Sequence, residues 1–349
     1  MTRIAVIPGD GIGIEVTREA VETLRRLADL SGRPIRFDAF PWGADHYLKT
    51  RETLPPGSLE RLAGYDAILL GALGDPRVPD MRHAADILLG IRFGLDLYVN
   101  YRPVRLLDDR LCPLKGRTTK DVDFVVFREN TEGLYVGMGG IFKKGTADEI
   151  AVQEDVNTRK GVERILRHAF EHARRTGRRR VLMADKSNAL TYGHDLWQRV
   201  FKEVAAAYPD LEASHLYVDA LTMQLVKDPS QFEVIVTCNM FGDILTDLGA
   251  QLQGGMGLAA SANLHPGRTG LFEPVHGSAP KYAGLDVANP MGAILSAALL
   301  LETIGRADDA RRIEDAVRAC IQAGATTRDL GGALGTRAVG EEIRRRLRS

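Results

Sequence analysis

Apolar residues along this chain follow two alternating rhythms. "RIAVIP", "PIRFDAF", "DAILLGA", "DFVVFREN", "RRVLMADK" and "EVIVTCN" are short aliphatic or β-branched runs, the make-up of strands buried in an α/β sheet. Between them, "EVTREAVETLRRLADL", "TRKGVERILRHAFEHARRT" and "HDLWQRVFKEVAAAY" return apolar residues at helical spacing. Further on, "NPMGAILSAALLLETIG" is apolar nearly all round and predicts a buried helix, and "DARRIEDAVRACIQAG" is amphipathic again, stopping at Gly324 as a C-cap. Strand runs alternating with helical ones predict α/β layering. One stretch breaks the rhythm. "GLYVGMGGIFKKGTADEIAVQEDV" is glycine-rich and then weakly alternating, which predicts a protruding β-arm, suited to a subunit contact or to a solvated hairpin.

Composition narrows the classes. The 349 residues suffice for two domains, and 46 basic residues balance 46 acidic ones. A net charge of zero argues against binding nucleic acid or a membrane surface through overall charge. Cys112, Cys238 and Cys320 are odd in number and widely spaced, which fits free thiols in a reducing compartment better than a disulfide framework. No run reaches membrane-spanning length, so a cytoplasmic protein is expected.

The chemistry-bearing residues are individually ambiguous. "IPGDGIGIEV" resembles a phosphate-binding turn, with Asp38 as the following acid. Its glycines at 9, 11 and 13, however, are G-x-G-x-G, not the G-x-G-x-x-G of a dinucleotide fingerprint. In "NMFGDILTDLGAQ", Asp243 and Asp247 stand four apart on a predicted helix and share a face. Two such acids suit a hard divalent cation, Mg²⁺ or Mn²⁺, or simply a solvated helix start. Asp219 in "VDALTMQLV" closes a strand-like run, where α/β active sites collect. Arg92, Arg102 and Arg128 flank strand-like segments, and their planar forks suit a di- or tricarboxylate or ordinary salt bridges. Lys186 in "DKSN" would be a base if its pKa were lowered, and Tyr135 is either a proton donor or an aromatic packing under the arm. "FEPVHGSAPKYAGLDVANP" is a long turn-rich loop with backbone N–H groups, a ring and a hydroxyl, a bed for a nucleotide.

Together, from "IPGDGIGIEV" to "TTRDLGG", these motifs resemble the β-decarboxylating dehydrogenases that act on 3-isopropylmalate, isocitrate, homoisocitrate, tartrate or D-malate. "NMFGDILTDL" and "FEPVHGSAPKYAG" carry most of the specificity. The resemblance implies an α/β fold of the isopropylmalate dehydrogenase type, not a Rossmann domain. It would have a large domain from 1–97 and 254–349 and a small domain from 98–253, two α/β domains around a central cleft, with an arm at about 133–156. It implies that Arg92, Arg102 and Arg128 grip the malate part of the substrate, with Asn188 nearby. Asp243, Asp247 and the Asp219 of a second subunit would hold the metal, Lys186 of that subunit would be the base, and Tyr135 the acid. His276, Gly277, Ser278, Ala279, Pro280, Lys281, Tyr282 and Asn289 would cradle the adenosine half of NAD⁺ or NADP⁺. A homodimer sharing its active sites is implied, since a monomer would lack two of these groups.

Within the family, Leu88 and Leu89 ahead of Arg92 resemble the pair lining the branched-alkyl pocket of the isopropylmalate enzymes, which points to 3-isopropylmalate and leucine biosynthesis. Ala85 stands where many of those enzymes have glutamate, and "CPLKGR" and "SANLHPGR" are similar to tartrate/D-malate dehydrogenases. Lys281–Tyr282 resembles the pair that meets the 2′-phosphate in NADP-using members, while Ala288 is of the NAD type. A non-catalytic regulatory relative would tend to lose the base, acid or metal ligands; this chain has all five.

Overall fold

The computed structural model describes residues 1–347. In chain order, β1 (Thr2–Gly9), α1 (Ile12–Ser31), β2 (Ile35–Ala39), α2 (Ala44–Thr50), α3 (Ser58–Ala63), β3 (Ala67–Ala72) and α4 (Arg82–Gly94) precede β4 (Val99–Arg105) and β5 (Asp123–Glu129). The hairpin β6 (Gly139–Phe142) and β7 (Ile150–Gln153) follows, then α5 (Arg159–Thr176), β8 (Arg180–Asp185), α6 (Gly193–Ala205), β9 (Glu212–Tyr217), α7 (Val218–Lys227) and β10 (Val234–Thr237). The last part holds α8 (Asn239–Leu252), β11 (Ala260–Leu264), β12 (Gly270–Pro274), α9 (Met291–Thr303), α10 (Ala307–Gln322) and α11 (Thr336–Arg346). All six runs read as strands are strands, and the helical runs are helices. Helix α10 stops one residue before the expected cap: Ala323 is the cap residue, and Gly324, in the left-handed region at φ +66°, follows it.

The chain divides into two compact units. One comprises Met1–Leu97, Arg102–Val122 and the chain from Ala250 onward; the other comprises Tyr98–Tyr101 and Asp123–Gly249. In the first, strands run β2-β1-β3-β12-β11, parallel except for β11 against β12. Because side chains alternate along a strand, Ala5 and Ile7 of β1 join Ile68 and Leu70 of β3 in a core with Ile87 and Ile91 of α4. The other helices at the strands are α1 and α9, with α10 and α11 packed on them. Helix α9 is buried from Met291 to Ile294 and again from Ser296 to Leu301, as its unbroken apolar pattern requires.

The second unit has parallel strands β5-β10-β8-β9, with α5 packed on β5, β10 and β8 and against α6. Thr158 caps α5 by accepting the Gly161 N–H, and Gly177 ends it in the left-handed conformation. The arm is an antiparallel hairpin, Gly139 opposite Gln153 through Phe142 opposite Ile150. All its strand residues are exposed, Ile141, Phe142, Ile150 and Val152 among them. No described helix is long and apolar enough to cross a membrane.

Candidate active site

Parallel strands deliver their carboxyl ends to the same edge of a sheet, and the loops there are free to carry chemistry. In the second unit, Arg128 sits near the end of β5 and is almost fully buried. Its Nε donates to Asn239 Oδ1 at 2.9 Å, and its NH1 donates to Asp243 Oδ1 at 2.5 Å. The Tyr135 hydroxyl donates to the other Asp243 oxygen at 3.2 Å, and the guanidinium lies 5.1 Å from the centre of the Tyr135 ring. Cation, carboxylate and phenol are therefore gathered on one spot. Such crowding requires Gly242: a Cβ there would come within 2.5 Å of the Arg128 side chain. Asp247 is exposed one turn further along α8.

A second cluster joins β8 to α7. Lys186, just past the end of β8, holds Asp219 Oδ1 at 2.8 Å. The hydrogen bond from the lysine keeps the Asp219 carboxyl below its ordinary range. Asp219 occupies the first turn of α7, directly after β9, so the strand-like run expected before it is β9 itself. Asn188 is exposed in the turn after Lys186. Among the described residues no three His, Cys, Asp or Glu side chains gather as a metal site, and Asp219 is not grouped with Asp243 and Asp247.

The first unit carries the remaining residues. Arg92 on α4 is buried and donates to Glu273 Oε1 at 2.7 Å, and Asn263 donates to the same oxygen at 2.9 Å. Its Nε is a buried donor without a hydrogen-bond partner among the described residues, the kind of group a ligand carboxylate satisfies. Arg102 on β4 is also buried. Leu88 packs against the α4 core, and Leu89 beside it is half-buried.

The loop after β12 answers the question posed by "GDGIG". Ile12 N donates to Ser278 O at 2.8 Å, and Ser278 Oγ donates to Gly74 O at 2.6 Å. Gly11, at φ +56°, has no room for a Cβ, which would stand 2.1 Å from that Ser278 oxygen. Gly11 thus serves a close backbone approach between the β1–α1 turn and the "HGSAP" loop, while Gly9 and Gly13 lie against the Ala72 backbone at the end of β3. Asp38, the expected acid of a fingerprint, is engaged by Tyr65, Arg36 and Arg3. Beyond Ser278, Ala279 takes φ +37° into a single turn at Pro280–Tyr282, where Lys281 and Tyr282 are exposed and the ammonium lies 4.7 Å from the ring centre. Asn289 spans from the Asp329 carboxylate to the Met291 amide, each at 3.0 Å. His276 Nε2 is a buried atom without a partner among the described residues, and burial holds the imidazole below its ordinary pKa.

These residues fit the groups the motifs imply. Asp243 and Asp247 present hard carboxylate oxygens of the kind Mg²⁺ and Mn²⁺ take, and His276 Nε2 offers an unused polar atom on the "HGSAP" loop. The motifs did not single out Glu273, the partner of Arg92, although it lies within "FEPVHGSAPKYAG", nor His194 at the Lys186 amide, nor Asp155 beside His194. His194 and Asp155 lie in segments whose apolar pattern says only helix or loop.

Comparison with known proteins agrees over nearly the full length. The chain is 47% identical over 347 residues to a 3-isopropylmalate dehydrogenase of Thermobifida fusca, covering 99% of this chain and 97% of that one. It is 49% identical to another so named from Clavibacter sepedonicus, covering 93% and 92%. Its fold matches the crystal structure of isocitrate dehydrogenase from Methylococcus capsulatus with a TM-score of 0.90, at 38% identity and 100% coverage of both chains. The family model described as isocitrate/isopropylmalate dehydrogenase matches residues 3–343. This chain belongs to the isocitrate/isopropylmalate dehydrogenase family, decarboxylating dehydrogenases that use a nicotinamide dinucleotide and a divalent metal.

Proposed function

We propose that the protein oxidises and decarboxylates 3-isopropylmalate, (2R,3S), to 4-methyl-2-oxopentanoate and CO₂, a step of leucine biosynthesis. The observation that carries this reading is the order Leu88–Leu89–Arg92 on α4: an apolar pair next to a buried guanidinium with an unsatisfied donor. That pairing suits an alkyl branch beside a carboxylate. The relatives of this name at 47% and 49% identity support it.

In this proposal Arg92, Arg102 and Arg128 hold the two carboxylates, and Leu88 and Leu89 exclude water around the branch. Asp243 and Asp247, with Asp219 of a second copy, hold Mg²⁺ or Mn²⁺. The cation supplies Lewis-acid polarisation of the C2 oxygen and the dinucleotide supplies the hydride acceptor. Lys186 of the second copy takes the proton from the C2 hydroxyl. Tyr135 returns a proton to the carbon left when CO₂ departs. His276 through Tyr282 and Asn289 hold the adenosine half of the cofactor. The exposed Lys281 beside Tyr282 supports a lean towards NADP⁺, because an ammonium suits a 2′-phosphate. Free thiols at all three cysteines support a reducing, cytoplasmic setting, and the exposed apolar arm supports a homodimer.

The test is nicotinamide reduction with Mn²⁺ or Mg²⁺ across 3-isopropylmalate, D-malate, tartrate, isocitrate and homoisocitrate, with each cofactor in turn. The highest kcat/KM is expected for 3-isopropylmalate. A lead for D-malate or tartrate overturns the alkyl-pocket reading and makes Ala85 the decisive position. Lys281→Asp is expected to weaken NADP⁺ binding selectively, and equal effects on both cofactors refute the NADP⁺ lean.

A further inference from the structure

Lys186 follows the last residue of β8, so its backbone N–H has left the strand ladder and needs another acceptor. Its carbonyl is taken by the amides of Ala189 and Leu190 at 2.9 and 2.8 Å. The Lys186 amide donates to a side chain, Nδ1 of His194 in the first turn of α6, at 2.9 Å. An imidazole nitrogen accepts only when it carries no proton, so His194 is the neutral tautomer protonated at Nε2. Nε2 lies 3.8 Å from Asp155 Oδ2. Asp155 is tied in turn: Asn157 Nδ2 donates to it at 2.9 Å, and the Trp197 indole donates to Asn157 Oδ1 at 2.8 Å. The His194 ring is 1% exposed and meets the Phe241 ring edge to face at 5.5 Å. Burial, the largest influence, keeps its pKa below the ordinary histidine range against the opposing pull of Asp155 and Asp185.

We propose that His194 is a positioning residue for Lys186. Its Nδ1 fixes the backbone from which the lysine side chain springs, and edge-to-face packing on Phe241 holds the imidazole, with the Asp155 carboxylate close by at the foot of the β6–β7 arm. The consequence for catalysis rests on the role proposed above for Lys186 as the base. A misplacement of about 1 Å in a reacting group can cost ~100-fold in rate, and an unanchored strand end permits that much. His194 itself touches no reacting atom; its whole effect passes through the Lys186 amide.

The test uses two substitutions that differ in where they put an acceptor. Asparagine places its amide oxygen close to the position of Nδ1, whereas glutamine reaches towards that of Nε2. His194→Asn is expected to keep kcat within about 3-fold, and His194→Gln to lose about 10- to 100-fold in kcat with little change in KM. Hydrogen exchange at the Lys186 amide supplies a readout independent of turnover. It is expected to be slow in the unaltered protein and in His194→Asn, and faster in His194→Gln. Rapid exchange in the unaltered protein overturns the proposal whether or not either variant folds, as does equal behaviour of the two variants in both kcat and exchange. If the unaltered protein reduces neither cofactor with any of the five substrates while the exchange pattern holds, the proposed reaction falls and the anchoring of residue 186 by His194 stands.

Discussion

At the residue scale, the functional groups are held by neighbours that are either very small or fully committed. Gly242 is the clearest case, since its missing Cβ is what lets α8 lie against the Arg128 side chain. Gly242→Ala is expected to push the guanidinium away from Asp243 and to lower kcat/KM by about 10- to 100-fold. Alanine adds up to ~1 kcal/mol of helix propensity over glycine, so the loss of activity should exceed any loss in the urea midpoint. Steady-state kinetics and urea unfolding on the same variant check this. The sequence showed Arg128 and Asp243 as candidates because their residue types fit carboxylate and metal chemistry. It did not show that they touch, because contact between positions 115 apart depends on how β5 and α8 are laid side by side.

Among the elements, α5 carries both structure and a pH dependence. His168 and His172 are one turn apart on the face that meets the Phe127 ring, at 5.2 and 4.9 Å between ring centres. Burial, reinforced by the Arg175 charge, pulls both imidazoles down to about 4. The folded pKa therefore lies below the unfolded value of about 6.5, and the unfolded chain binds more protons at pH between the two. Stability rises with pH through that window and is lost as pH falls through it, by at most about 3 kcal/mol for His168. Urea midpoints measured from pH 4 to 7 should show this slope, and His168→Gln should flatten it; an unchanged slope refutes the assignment. Elements were legible where burial is two-sided or periodic, as in β1, β3, α5 and α9. In β9, an edge strand whose residues are half-exposed or exposed, only a strand-like run ahead of Asp219 was legible, and β11 and β12 were not, because small residues, glycine and proline hide their pattern. There pairing with a neighbouring strand, not local propensity, makes the strand.

For the whole molecule, the decisive expectation is that one chain is incomplete. Lys186 and Asp219 hold each other, while Asp243 stands with Arg128 and Tyr135. If each proposed site draws Lys186 from a second copy, two inactive variants should complement. Lys186→Met and Asp243→Asn subunits, unfolded together and refolded as a mixture, should regain about a quarter of the normal activity, since half the dimers are mixed and each has one intact site. Each variant refolded alone should stay inactive. Mixing that restores nothing means the groups act within one chain, and the arm then needs another role.

By itself the sequence determined the α/β class, most of the strand and helix runs, and the family its motifs belong to, and it named candidate reactive side chains. Those depend on local pattern and on residue chemistry, which a linear string records. Tertiary structure decided that "GDGIG" packs against Ser278, that Arg92 is held by Glu273, and that the Lys186 amide rests on His194. Each of these is a contact whose partners and geometry are set by how strands and helices pack, and burial in a low-dielectric interior strengthens it.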